Sequence, residues 1–255
     1  MEQRALRRLL AAERRALRRL LAAERRALRR LLALNSGRRR QLFAVEQRAP
    51  PAGFPGMKIG IVGAGNIGGT LATLFTRAGH EVALANSRGP QTLAGTIAEL
   101  GDNAHAATAA DAAAFGEVVV IAVPLKAYTA LPVEPFAGRI VVDANNYYPQ
   151  RDGQIAELDA KTATSTELLA RRLEGARVLK AFNTIYSEHL RDRGDTGARA
   201  TDRFAIPIAG DDAAAKAVLT DLIDQIGFSA VDTGTLAESW RQEPGTPVYG
   251  AEVQP

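Results

Sequence analysis

Lys58-Ile59-Gly60-Ile61-Val62-Gly63-Ala64-Gly65-Asn66-Ile67-Gly68-Gly69 is the stretch that decides the fold. Its first five residues form a short apolar run, suited to a strand buried on both faces. A glycine-rich turn follows. Then Leu71, Leu74 and Phe75 recur at helical spacing up to Gly79, and Glu81 to Ala85 reads as a second strand. Strand, glycine turn, helix and strand follow one another within about thirty residues, the context in which Gly-x-Gly-x-x-Gly carries weight. Gly63 makes the tight turn, Gly65 lets a pyrophosphate approach the backbone, and Gly68 lets the helix pack close to the sheet. The helix N-terminus, at Asn66 and Ile67, offers free N–H groups and a positive dipole to the phosphates.

The end of the second strand separates the two nicotinamide dinucleotides. An NAD-binding chain usually places Asp or Glu there, to hold the ribose 2′-hydroxyl. Here the residues are Asn86-Ser87-Arg88-Gly89-Pro90, with no carboxylate to repel a 2′-phosphate. Arg88 can pair with that phosphate or stack on adenine, and Ser87 can donate a hydrogen bond. NADP(H) is therefore the expected cofactor.

Further apolar runs predict strands at 103–107, 118–123, 139–144, 177–182, 204–208 and 228–231, with helical patterns at 93–100, 165–173 and 212–226 between them. Alternation of this kind predicts an α/β fold, a Rossmann-type doubly wound parallel sheet. Ligands in such a sheet sit beyond the carboxyl ends of the strands. That directs attention to Pro124, Asn145, Asn183 and Thr184 as walls around a nicotinamide. Residues 57–255 leave little chain for a separate substrate domain. No Lys or His stands where a general base is evident, and Lys180, on a strand, can point either way. Direct hydride transfer to a flat redox partner suits this inventory, with the protein mainly supplying position.

The chain has no cysteine, which excludes disulfides and thiolate metal sites. The histidines His80, His105 and His189 have no metal-ligand spacing, so no metal is expected. No apolar run reaches bilayer length and no secretory signal core is present, which predicts a cytoplasmic body. Residues 1–56 hold 15 Arg, no Lys and 4 Glu, so a basic segment precedes an acidic remainder. Nucleic acid is not an expected partner of 57–255.

The basic segment repeats an eleven-residue unit three times, at 2–12, 13–23 and 24–34. Its Ala, Leu, Arg and Glu favour helix, and three turns per eleven residues keep one leucine stripe nearly straight. The division read from the sequence is a repeat helix over 1–36, a linker over 37–56 and an NADP-binding domain over 57–255. The helix is either an anchor for anionic surfaces or a self-associating element, or it lies upstream of the native start at Met57. A native start at Met57 predicts that a chain starting there keeps full stability and activity. Loss of either on truncation would exclude it.

On Gly63-Ala64-Gly65-Asn66-Ile67-Gly68, Asn86-Ser87-Arg88, Ala122-Val123-Pro124, Lys180-Ala181-Phe182-Asn183-Thr184 and the tail Trp240 to Gly250, residues 57–255 resemble the NADPH-dependent deazaflavin (coenzyme F-420) reductases and the dinucleotide-binding oxidoreductases around them. The resemblance implies hydride exchange between NADP(H) and a small-molecule redox acceptor, with coenzyme F-420 or a flavin as co-substrate. It also implies a homodimer. Backbone near Asn66 and Ile67 would hold the pyrophosphate, Ser87 and Arg88 the 2′-phosphate, and the Ala-Val-Pro and Lys-Ala-Phe-Asn segments the nicotinamide. Asn145-Asn146-Tyr147-Tyr148 departs from the Asn-Pro of many relatives, and its tyrosines are placed to reshape the acceptor pocket. An NADPH sensor without turnover is the alternative. A small-molecule dehydrogenase is a third reading, and needs a proton donor such as Tyr147 or Lys180.

Overall fold

The computed structural model describes residues 56–251. The repeat helix expected over 1–36, and all of the expected linker except Gly56, lie outside the described residues. Eight strands form one sheet: β1 (Lys58–Val62), β2 (Glu81–Ala85), β3 (Ala104–Ala107), β4 (Val118–Ile121), β5 (Ile140–Asp143), β6 (Arg177–Lys180), β7 (Ala205–Gly210) and β8 (Ser229–Asp232). Their order is β3-β2-β1-β4-β5-β6-β7-β8. Strands β1 to β6 run parallel. The order reverses between β1 and β4, which opens a crevice at their carboxyl ends.

The helices are α1 (Asn66–Arg77), α2 (Ala94–Leu100), α3 (Ala109–Phe115), α4 (Pro149–Asp152), α5 (Ala156–Asp159), α6 (Ser165–Arg172), α7 (Ser187–Asp192) and α8 (Ala213–Gln225). Alternation along each strand sends side chains to two apolar layers. Ile59 and Ile61 of β1 join Leu71 and Phe75 of α1 on one face. Val62 joins Val119, Phe136 and Leu169 on the other. Each such fully buried side chain stabilises the fold by about 1.5–3 kcal/mol. Helix α6 starts with a reciprocal cap: the Thr164 hydroxyl accepts from the Glu167 N–H at 3.2 Å, and the Glu167 carboxylate accepts from the Thr164 N–H at 2.7 Å.

The sheet departs from the parallel expectation at its far side. Strand β7 runs antiparallel to β6, paired only through Leu179↔Gly210 and Lys180↔Ala209, and β8 then lies parallel to β7. A parallel crossover usually needs a helix long enough to return the chain to the starting edge. The connection after β6 holds only the six-residue α7 and a 3-10 turn at Ala200–Asp202. The chain therefore re-enters the sheet from the end at which β6 leaves it. No helix among the described residues is long and apolar enough to cross a membrane.

Candidate functional site: a cleft at the strand carboxyl ends

The turn after β1 is built by backbone geometry. Gly63 has φ +117°, a conformation costly for any residue with a Cβ, and a Cβ there would also collide with the Ala122 carbonyl. Its N–H donates to the Ala85 carbonyl at 2.9 Å, which ties the turn to the end of β2. Gly65 caps α1 and has no side-chain capping bond. The first turn of α1 holds no acidic residue. Its leading N–H groups and positive dipole are therefore not offset by an acidic side chain of their own turn. A Cβ on Gly65 would meet no protein atom within 4 Å. That space belongs to whatever approaches the helix terminus. Gly68 is internal, since a Cβ there would strike the Gly63 carbonyl.

From this terminus a cleft of about 340 Å³ runs across the switch point. Gly65, Asn66 and Ile67 line one end, Ala122, Val123 and Pro124 the middle, and Asn145, Asn146, Phe182 and Asn183 the floor. Tyr148, Arg151, Tyr186 and Tyr249 form the far rim. No Asp, Glu, His or Lys side chain lines it among the described residues.

Phe182 enters at φ +63°, fully buried. A bulky residue held in the left-handed region costs about 1–3 kcal/mol and persists only where its surroundings enforce it. The bend swings Asn183 into the cleft. The Asn183 amide donates to the Asn146 side-chain oxygen at 3.0 Å and to the Gln242 carbonyl at 2.6 Å. Asn146 returns a bond to the Asn183 carbonyl at 2.8 Å. Asn183 Oδ1 is buried with no hydrogen-bond partner. It is an acceptor suited to an amide donor, such as a carboxamide held against the floor.

Beneath the floor lies a polar knot that the sequence reading missed. The Asp143 and Lys180 side chains are both fully buried and 3.1 Å apart. Asp143 also accepts from the Tyr128 hydroxyl at 2.6 Å, the Thr166 hydroxyl at 2.7 Å and the Asn145 N–H at 3.0 Å. Lys180 donates further to the Asn145 carbonyl at 2.5 Å and the Ser165 hydroxyl at 3.2 Å. Burial and the Asp143 carboxylate push the Tyr128 hydroxyl well above its ordinary pKa. Lys180 therefore points into the protein with its three donors engaged. It positions Asn145 and does not reach the cleft.

The remaining expected residues divide by place. Val123, Pro124 and Asn183 line the cleft, whereas Ala181 is wholly in the core. Asn86 shapes its loop: its Oδ1 accepts from the Arg88 N–H at 3.0 Å and its amide donates to Thr92 at 2.9 Å. Ser87 and Arg88 are exposed at the end of β2, outside the 340 Å³ volume. The Arg88 guanidinium has no hydrogen bond or ion pair among the described residues. The Tyr147 hydroxyl is engaged away from the cleft, bonding Asp159 at 2.8 Å and accepting from the Ile155 N–H at 3.0 Å. Tyr148, its neighbour, is the one on the rim.

The cleft suits a dinucleotide: a helix terminus without acidic residues for a pyrophosphate and an unpaired amide oxygen on the floor, with the Arg88 guanidinium, unpaired among the described residues, outside it. Comparison with known proteins agrees. The family described as NADP oxidoreductase, coenzyme F420-dependent, matches residues 58–147. The metalloreductase STEAP3 of Rattus norvegicus is 30% identical over 71% of this chain, which spans only 35% of that protein's length. The F420-dependent NADP reductase of Methanothermobacter marburgensis is 31% identical over 75% of this chain and 90% of its own. The crystal structure of protein SMa0349 from Sinorhizobium meliloti superposes with a TM-score of 0.68 at 32% identity, covering 78% of this chain and 96% of that one. The chain belongs to the coenzyme F420-dependent NADP oxidoreductase family.

Proposed function

We propose that the chain is an NADPH-dependent oxidoreductase that passes a hydride to a flat, flavin-like acceptor: a deazaflavin, a flavin or a ferric chelate. The observation that carries this reading is the cleft itself. It begins at a bare helix terminus, ends in three tyrosines, and is lined by no carboxylate, imidazole or ammonium group among the described residues. Of the usual general acids and bases, only tyrosine hydroxyls, at the far rim, line it among the described residues. A hydride passed between two stacked rings needs position above all.

The bound dinucleotide supplies the hydride. The α1 terminus holds its pyrophosphate, and Ser87 and Arg88 hold the 2′-phosphate. Asn183 orients the carboxamide. Ala122, Val123 and Pro124 pack against the ring, and Tyr148, Tyr186 and Tyr249 offer apolar faces with polar edges to a flat acceptor.

The test follows NADPH absorbance with oxidised deazaflavin, FMN and ferric chelate offered separately, and NADH run beside it. Rapid oxidation of NADPH with one acceptor is expected. Tight NADPH binding with no turnover on any of them refutes the acceptor and favours a sensor. Arg88→Ala is expected to weaken NADPH binding about 10- to 100-fold, the worth of a charge-assisted pair with phosphate, and NADH binding less than about two-fold. Equal losses for both dinucleotides would exclude the role given to Arg88.

A further inference from the structure

The Tyr148 and Tyr249 hydroxyls lie 2.5 Å apart on the rim of the cleft, although 101 residues separate them in the chain. Two hydroxyls carry two protons, and only one is spent between them. The other has no acceptor among the described residues. The pair is also held in place. The Tyr148 N–H donates to Asp152 at 3.1 Å, and the Arg151 guanidinium sits 4.9 Å above the Tyr148 ring. Tyr249 arrives on a tail fixed at both ends. Gln242 accepts from Asn183 at 2.6 Å, and the Gly250 N–H donates to the Thr184 carbonyl at 2.9 Å. The cleft thus ends in a fixed donor with one free proton, beside the Arg151 guanidinium, which is itself paired with the Asp152 carboxylate at 2.8 Å.

A flat acceptor that takes a hydride without a proton becomes an anion. In flavins and deazaflavins the added electron pair is delocalised to the nitrogen and carbonyl oxygen of the pyrimidinedione edge. A fixed neutral donor stabilises that developing charge more than it stabilises the neutral oxidised ring. We propose that the Tyr148–Tyr249 hydroxyl pair binds the pyrimidinedione edge of the reduced acceptor and gives the site its preference for the reduced over the oxidised form. This rests on the flavin-like acceptor proposed above. The hydride with its two electrons comes from NADPH. The pair keeps its protons, and the anion takes its own from water after release. Burial, and then the hydrogen bond with Tyr148, push the Tyr249 hydroxyl up to about 12. It therefore stays a donor throughout the neutral range.

The test uses the full chain with redox-inert tetrahydro-NADP in the dinucleotide site. Oxidised FMN, and FMN reduced anaerobically, are titrated into wild type, Tyr148→Phe, Tyr249→Phe, the two combined, and Tyr147→Phe. At about pH 8, where reduced FMN is anionic, wild type is expected to bind it about ten-fold more tightly than oxidised FMN, the margin between a charged and a neutral hydrogen bond. Either single rim variant keeps one hydroxyl with a proton to give and should keep part of the preference, whereas the two substitutions combined should bring the two affinities to within about two-fold of each other while leaving that for tetrahydro-NADP unchanged. Tyr147→Phe should keep the wild-type preference. Equal affinities in wild type, or a preference that survives both rim substitutions, would overturn the proposal. Hydride transfer from NADPH to FMN, followed in the same preparations, judges the proposed reaction separately. A redox preference without transfer upholds the pair and refutes that reaction for FMN, and transfer without a preference does the reverse. No binding of FMN in either state overturns the role of the pair and refutes that reaction for FMN.

Discussion

Gly65→Val is expected to lower NADPH affinity more than about 100-fold while leaving the fold intact, because the backbone at this position suits valine and the space beside it suits only a ligand. Gly65 sits at φ −83° and ψ −166°, ordinary extended geometry that a β-branched residue adopts without strain. A Cβ there meets no protein atom within 4 Å. The branched methyls would instead stand in front of the leading N–H groups of α1, where the pyrophosphate must come to hydrogen-bond distance. Thermal or urea unfolding of the ligand-free variant should therefore match wild type to within about 1 kcal/mol, the usual scatter of surface substitutions. Fluorescence titration with NADPH should show the loss. The contrast is Gly63→Ala. Its φ of +117° and the Ala122 carbonyl against the new Cβ predict a loss of folding stability of about 2 kcal/mol or more. Undiminished NADPH binding by Gly65→Val would mean that the dinucleotide does not cross this terminus, and the whole placement of the cofactor would fall.

The division between these glycines marks how far the sequence could be read. The turn was legible because its chemistry is local: the spacing of Gly63, Gly65 and Gly68 between an apolar run and a helical pattern leaves one backbone solution. The loss of an acid at the end of β2 was legible for the same reason. Helix α3 was missed although Thr108 caps it by accepting from the Asp111 N–H at 3.1 Å. The Thr-x-x-Asp spacing ahead of an alanine run was a usable signal. The single-turn helices α4 and α5 left no period to detect. The direction of β7 depends on how a 24-residue connection, 181–204, returns to the sheet, and neither strand nor helix patterns carry that information. The floor of the cleft was least legible. Its knot draws Tyr128, Asp143, Ser165, Thr166 and Lys180 from separate segments, and the Tyr148–Tyr249 pair closes across most of the domain. Side-chain partners chosen by tertiary packing leave no periodicity behind.

That knot gives the largest stability prediction. Lys180→Met removes one charge from a pair whose side chains are both fully buried, and so leaves the Asp143 carboxylate without a countercharge. Such a loss costs about 3–5 kcal/mol, more than removal of the whole pair, because the orphaned ion keeps its desolvation penalty without its Coulomb partner. At about 2–4 °C per kcal/mol for a domain of this size, the melting temperature should fall on the order of 10 °C. Lys180→Met combined with Asp143→Leu removes the orphaned charge. It also leaves the Tyr128 and Thr166 hydroxyls and the Asn145 N–H without their acceptor, and buried groups left unpaired cost about 1–3 kcal/mol each, so the double variant should regain little of the loss. A double-mutant cycle in urea, read with and without NADPH, separates the two roles of the knot. If the knot only stabilised the sheet, NADPH affinity would be equal in all four proteins once each is folded. Lys180 also holds the Asn145 carbonyl at 2.5 Å, and Asn145 lines the cleft floor, so both Lys180 variants should bind NADPH more weakly than wild type when each is fully folded. A single Lys180→Met variant destabilised by less than about 1 kcal/mol would show that the pair contributes little to stability.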